Sequence, residues 1–284
     1  MRIFISADMD GITGITHPDQ MFEGRPGYAA GCEAMTADVN AAIEGALRAA
    51  PGAEFVVADG HSQGRNLIIE KLHQAAALVC GPMHETSRPL SQAQGIEGCN
   101  LAFFVGYHAK AGTEGGLLAH TWAGPVIADV RLNGLSVGEV GINAAVAGHW
   151  DIPLGMVSGT HDLRPELDAL NCGTLLAQTK QSYGRTAALC LGARKSRAVI
   201  GETAEAAVRA QQQGKLKPFK PTLPVTMEVD THRREQAQKA AQVPGVKQTE
   251  ERTVSVTAET TLQAALTMWK AMCHAQNEPP AWLK

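Results

Sequence analysis

Arg2-Ile3-Phe4-Ile5-Ser6-Ala7-Asp8-Met9-Asp10-Gly11 is the stretch that decides how the rest of the chain is read. Its apolar start, rich in β-branched and aromatic residues, reads as a buried strand, and it breaks in an acidic turn closed by glycine. Residues two apart on an extended backbone point the same way, so the Asp8 and Asp10 carboxylates can face one point in space. A helical stretch from about Tyr28 to Ala49 follows, then a strand at Glu54–Ala58 that ends in Asp59-Gly60-His61-Ser62. A helical or irregular piece at Leu67–Leu72 and a strand at Ala76–Cys80 lead to Leu101–Tyr107, which ends at His108. By length alone, Leu101–Val105 is compatible with a strand or a buried helix. Short apolar runs bounded by glycine and separated by helices give an α/β class: a layered, parallel-type sheet flanked by helices.

Further along, Val126–Leu132 alternates in hydrophobicity and runs into Asn133-Gly134, a strong hairpin signal. Glu139–Gly148 reads as a helix, Pro153–Ser158 as a buried strand, and Ser196–Gln213 as a helix closed by Gly214. The lysine- and proline-rich segment 214–221 reads as a solvated connection. Beyond it, Pro224–Val229, Arg233–Gln242, Thr253–Thr257 and Thr261–His274 form a β-α-β-α series. The expected organisation is a main α/β domain over 1–192 and a smaller C-terminal α+β domain over 193–284.

The 284 residues carry a formal charge of −3, and no clustered basic stripe is present of the kind phosphate neutralisation needs, which argues against a nucleic-acid partner. No apolar run approaches the roughly eighteen residues of a membrane span. With strand-like sequence at the outset and no cleavable leader before it, the expected compartment is the cytoplasm. The six cysteines are scattered without a C-x-x-C pair and read as small buried hydrophobes.

Chemistry concentrates in three turns, after Ala7, Ala58 and Val105, each at the carboxyl end of an expected strand. Ligands of open parallel sheets collect at those ends. Convergence there would bring together Asp8, Asp10, His61 and His108, a mixture of carboxylate oxygen and imidazole nitrogen that suits Zn²⁺ and related divalent ions. Each residue also has a plain reading: an Asp as a turn or cap, a lone His as structural, Glu139 as a charge favoured in the first turn of its helix. Spacing alone therefore stops at a possible metal site. Two other motifs compete. Gly134-Leu135-Ser136-Val137-Gly138 matches the serine-hydrolase elbow, with Asp162 and His232 following in the right chain order, but the hairpin turn just before it displaces the strand the elbow requires. Asp10-Gly11-Ile12-Thr13-Gly14 lacks the Gly-Lys-Ser/Thr end of a phosphate loop.

Five separate motifs, in order, resemble the M55 family of D-aminopeptidases. Asp8-Met9-Asp10-Gly11-Ile12-Thr13-Gly14 resembles the family's D-M-E-G-I-S-G, Asp59-Gly60-His61-Ser62 its D-S-H-S, and Gly106-Tyr107-His108-Ala109 its G-Y-H-A. His120-Thr121 falls where the family has its catalytic His-Ser, and Gly138-Glu139-Val140-Gly141-Ile142-Asn143-Ala144 resembles G-E-L-G-L-N-A. Weaker similarity continues through Lys180-Gln181-Ser182 and Arg185-Thr186 to the C-terminal helix.

The resemblance implies two Zn²⁺ ions per subunit: Asp8 bridging both, Asp10 and His108 completing one site, His61 and Glu139 the other. It implies release of N-terminal D-amino acids of the D-Ala type from short peptides, and a ring-stacked homodecamer. A hydroxide shared by the ions is the expected attacker, with His120 as the catalytic histidine; the family's account makes it the nucleophile, while an acid–base role suits a histidine beside a metal site. Two departures stand out. Asp10 replaces the family's Glu, one methylene shorter, and Gly159-Thr160-His161-Asp162 replaces its G-D-D, His161 reading as an incidental surface residue. Asp59 fits equally a partner for a ligating histidine or a residue that fixes its turn. The rival functions are a serine hydrolase using Ser136 and a non-catalytic peptide- or metal-binding homologue.

Overall fold

Alternation within the first strand, β1 (Arg2–Ala7), sets the layers of the molecule: Ile3, Ile5 and Ala7 enter one core and Phe4 the other. A computed structural model describes residues 1–279. In chain order it contains α1 (Tyr28–Ala49), β2 (Glu54–Asp59), β3 (Ala76–Val79), β4 (Leu101–Tyr107), β5 (Ile127–Leu132), β6 (Leu135–Val137), α2 (Glu139–His149), β7 (Leu154–Thr160) and α3 (Arg164–Leu170). There follow β8 (Leu175–Gly184), β9 (Ala187–Cys190), α4 (Ala193–Gln212), β10 (Val225–Thr231), α5 (Arg234–Ala240), β11 (Lys247–Gln248), β12 (Thr253–Ala258) and α6 (Thr261–Ala275).

The larger sheet has the order β3-β2-β1-β4-β7-β8-β9, parallel throughout except for the antiparallel edge strand β9. The run at 101–105 is a strand, buried along its whole length because it lies between β1 and β7. On one face, Met35, Val39 and Ile43 of α1 and Ile200, Ala204 and Val208 of α4 pack with Ile3 and Ile5. The two helices approach closely at a glycine pair: a Cβ on Gly45 would lie 2.1 Å from the Gly201 carbonyl oxygen. The other face packs Phe4 and Phe104 against α2 and α3.

The second sheet is antiparallel, β11-β12-β10-β5-β6, with α5 and α6 against it. Its β5–β6 hairpin turns at Asn133 (φ 47°) and Gly134 (φ 83°), the two positive angles a two-residue turn of this hand requires. The expected boundary at 192/193 falls inside the layer built on the larger sheet, since α4 packs on α1, while the smaller sheet takes β5 and β6 from residues 127–137. One apolar core runs from Phe4 and Phe104 through α2 to Met227 and Met268, joining both sheets. No helix among the described residues is long and apolar enough to cross a membrane.

Candidate metal centre

β1 lies between β2 and β4, with Ala7 paired to Asp59 on one side and to Val105 on the other. The three strands therefore end together, and the sheet order turns back at this point: β3 and β2 extend to one side of β1, β4 and β7 to the other. Asp8 leaves the end of the middle strand, His61 follows β2, His108 follows β4, and Glu139 opens α2. Glycine permits the turns to crowd: a Cβ on Gly11 would sit 1.9 Å from the Tyr107 carbonyl oxygen.

All five residues are buried, and their polar atoms converge. His61 Nδ1 lies 3.1 Å from Asp8 Oδ1 and 3.0 Å from Asp10 Oδ2; His108 Nε2 lies 3.2 Å from Asp8 Oδ2 and 3.6 Å from Glu139 Oε1. Two groups emerge with ligand atoms within 4.8 Å of one another, Asp8–Asp10–His61 and Asp8–His108–Glu139, sharing only Asp8. These two groups set Asp10 with His61 and His108 with Glu139, where the resemblance implies Asp10 with His108 and His61 with Glu139. The reason is positional, because each oxygen of Asp8 faces a different histidine. A third group, Asp10–His108–His120, spans the gap between them.

The backbone fixes which ring nitrogen faces inward. His61 Nε2 meets the Met21 carbonyl at 3.2 Å, and His108 Nδ1 the Ala109 carbonyl at 2.9 Å. An N–H directed at a carbonyl leaves the opposite nitrogen with its lone pair toward the carboxylates, an arrangement that needs a cation or a proton between them. Asp8 Oδ2, Asp10 Oδ2 and His108 Nε2 have no hydrogen-bond partner among the described residues. Without an ion the histidines take up that proton: burial pushes both imidazoles down, but Asp10 and Asp8 around His61, and Glu139 and Asp8 around His108, raise them well above their ordinary value. Burial likewise pushes the two acids up, and the histidines outweigh it, holding Glu139 at about 2 and Asp10 below the usual carboxylate range. The donor set, hard oxygens with imidazole nitrogens in a buried cluster, fits zinc.

Residues behind the cluster hold it in place. Glu166 of α3 accepts from Gly138 N at 2.7 Å and Gly141 N at 2.8 Å, anchoring the α2 terminus that carries Glu139. Gln92 donates to Glu139 Oε2, and its own Oε1 accepts from Asn143 Nδ2 at 2.7 Å. The buried ammonium of Lys180 donates to the Asp10 and Ile15 carbonyls at 2.9 and 2.7 Å, spanning the acidic turn; burial lowers its pKa to about 8. Asp59 accepts from Asn66 N, Asn66 Nδ2 and Leu67 N, so it fixes the turn after β2 while the His61 ring finds Met21. Glu166 and Gln92 carried no sequence signal, and Lys180 entered only through weak similarity.

His120 stands at the rim, its side chain 29% exposed. It stacks on His108 with ring centroids 4.1 Å apart and planes 3° from parallel, and its Nδ1 lies 2.8 Å from the Leu118 carbonyl. Its Nε2 is 3.8 Å from Glu139 Oε1, the oxygen that also faces His108 and accepts from the Trp122 amide at 2.6 Å. Leu118 and Trp122 bracket the histidine with φ of 52° each, left-handed backbone in side chains that rarely adopt it. A cavity of about 610 Å³ opens above the cluster, walled by apolar groups including Met21, Phe22, Trp122 and Trp269.

The competing motifs resolve otherwise. Ser136 lies in β6, where its hydroxyl donates to Asp129 at 2.6 Å and accepts from Lys110 Nζ at 2.8 Å; Asp162 accepts from Ser182, and the His232 ring faces the Gly124 carbonyl. The serine therefore has neither histidine nor elbow. His161 is half exposed and its Nδ1 accepts from Ser182 N at 3.2 Å, beside the strand end rather than in the cluster.

The peptidase M55 family, described as D-aminopeptidase, matches residues 1–270. A D-aminopeptidase of Bacillus subtilis is 33% identical over 278 residues, 96% of this chain and 95% of that protein. Among solved structures, the Zn-dependent D-aminopeptidase DppA from Bacillus subtilis, described as a self-compartmentalizing protease, superposes with a TM-score of 0.91 at 31% identity, over 99% of this chain and all 100% of that one. With strand ends, acidic turns and family match in agreement along nearly the whole sequence, the chain belongs to the M55 family of D-aminopeptidases, and it is a metallopeptidase.

Proposed function

We propose that this protein is a dinuclear-zinc aminopeptidase that releases N-terminal D-amino acids, of the D-alanine kind, from short peptides. Asp8 would be shared by both ions, Asp10 and His61 would complete one site, and His108 and Glu139 the other. The observation that carries this is the pair of inward-facing imidazole nitrogens, His61 Nδ1 and His108 Nε2, set against the buried oxygens Asp8 Oδ2 and Asp10 Oδ2, which have no hydrogen-bond partner among the described residues. Bound zinc supplies Lewis acidity at the peptide carbonyl and lowers the pKa of water. His120 does the proton work: with Nδ1 tied to the Leu118 carbonyl, Nε2 is the nitrogen that takes up or delivers a proton in the cavity. We further propose a closed homo-oligomer, a decamer, acting in the cytoplasm on peptides small enough to enter it, a reading supported by the self-compartmentalizing description of the DppA neighbour.

The test measures D-alanine released from a short D-peptide and metal per chain on the same preparations. Chelation is expected to abolish release and Zn²⁺ to restore it, with about two zinc per chain. His120→Ala is expected to keep its zinc while turnover falls by about 10²-fold or more. Release that survives chelation would overturn the metallic reading, and zinc lost together with His120 would make that residue a ligand.

A further inference from the structure

The cavity above the metal cluster is lined by three carboxylates, two histidines and one guanidinium, that of Arg185. No other lysine or arginine lines it among the described residues. Arg185 lies in the two-residue connection between β8 and β9. Two hydrogen bonds tie this turn to the segment bearing His120: Leu118 N donates to the Arg185 carbonyl at 3.0 Å, and Arg185 Nη2 donates to the Ala119 carbonyl at 3.3 Å. The guanidinium is thus held one residue from His120 along the chain. That bond uses one of its five N–H donors, and no carboxylate of this chain forms an ion pair with it among the described residues.

An arginine fixed at the wall of the cavity, without an acidic partner of its own, is suited to a carboxylate brought in by the ligand. We infer that Arg185 binds the C-terminal carboxylate of the substrate, making the enzyme selective for di- and tripeptides with a free C-terminus. This rests on the aminopeptidase reading: if the amino-terminal residue lies at the Asp8 cluster, the rest of a short peptide extends along the cavity at about 3.3–3.6 Å per residue. A peptide of two or three residues ends within the cavity, where Arg185 is the one arginine or lysine among the described residues of the wall. Longer peptides, or those with a capped C-terminus, present no charge at that place.

The experiment compares D-alanyl-D-alanine with its C-terminal amide on the zinc-loaded enzyme, for wild type, Arg185→Gln and Arg185→Lys. The wild type is expected to prefer the free acid by about 10- to 100-fold in kcat/KM, the range of a charge-assisted hydrogen bond, mostly through KM. Arg185→Gln should erase that preference, with kcat/KM on the free acid falling to the level of the amide. Arg185→Lys, which keeps the charge and loses the fork, should retain part of it. Equal cleavage of acid and amide by the wild type overturns the inference. So does an Arg185→Gln variant that loses turnover on both substrates alike, because the residue would then only position the His120 segment. A wild-type enzyme that cleaves neither substrate sinks the aminopeptidase reading itself, a result distinct from both.

Discussion

Replacing Glu166 by alanine would disturb the metal centre without touching a ligand. The carboxylate accepts two backbone N–H groups, Gly138 N and Gly141 N, at the first turn of the helix that begins with Glu139. Neither N–H has another acceptor among the described residues, and the space is closed: a Cβ on Gly138 would lie 2.6 Å from Lys110 Cβ, and one on Gly141 2.7 Å from the Val137 side chain. Each buried donor left unpaired costs about 1–3 kcal/mol. The loss of a negative charge at a helix N-terminus adds about 0.3–1 kcal/mol. Against this, burial raises the Glu166 pKa, so at neutral pH the charged form is itself disfavoured by the fold, and its removal returns part of the loss. The expected net destabilisation for Glu166→Ala is about 2–5 kcal/mol. Glu166→Gln keeps a carbonyl oxygen facing both donors and should lose about 1 kcal/mol or less. Urea denaturation of the chelated proteins measures these differences, and zinc titration shows whether affinity falls with the displaced Glu139, by about 10–100-fold. An alanine variant within about 1 kcal/mol of wild type, or a glutamine variant as damaged as the alanine one, would refute the anchoring role.

Lys180→Met removes a buried ammonium whose pKa is lowered to about 8 from 10.5. The unfolded chain binds that proton more tightly, so wild-type stability should rise relative to the variant between those pH values, by about 3 kcal/mol; parallel denaturation of both metal-free proteins at pH 7.5 and 10.5 checks it, and a constant difference would contradict it. Gly11→Ala places a methyl 1.9 Å from a backbone oxygen that cannot yield, and should lose about 3 kcal/mol or more together with zinc binding, read by thermal melting and metal content. Ser136→Ala should leave peptide cleavage within about twofold of wild type, since the serine bonds only to Lys110 and Asp129 in the hairpin. A fluorophosphonate label that appeared on wild type and vanished with Ser136 would count against the metallopeptidase reading.

What could be read from the sequence followed its strongest physical signals. The runs Ile3–Ala7 and Leu101–Tyr107 have too few polar residues to be anything but buried, and the turns that end them place Asp8, Asp10 and His108 from the sequence alone. The strand β8 is not legible because Leu175–Gly184 carries Gln178, Lys180, Gln181 and Ser182, a composition that reads as surface; Lys180 is nevertheless buried, satisfied by two carbonyls from a turn 165 and 170 residues away in sequence. No local pattern encodes such a contact. The sorting of ligands into two groups was illegible for a similar reason, since it depends on how the two oxygens of Asp8 are turned. Glu166 lies in a stretch with no motif at all, and no local pattern marks α3.

The left-handed residues on either side of His120 set a limit on how this molecule can vary. A non-glycine side chain held at such angles stores about 1–2 kcal/mol, so glycine at position 118 or 122 would relax the chain. Yet the Leu118 carbonyl orients the His120 imidazole, and the Trp122 amide reaches Glu139. Glycine would keep both backbone groups but loosen the segment that carries them and remove the Leu118 or Trp122 side chain from the cavity wall, so stabilised variants that keep full activity should carry their improvements elsewhere in the molecule.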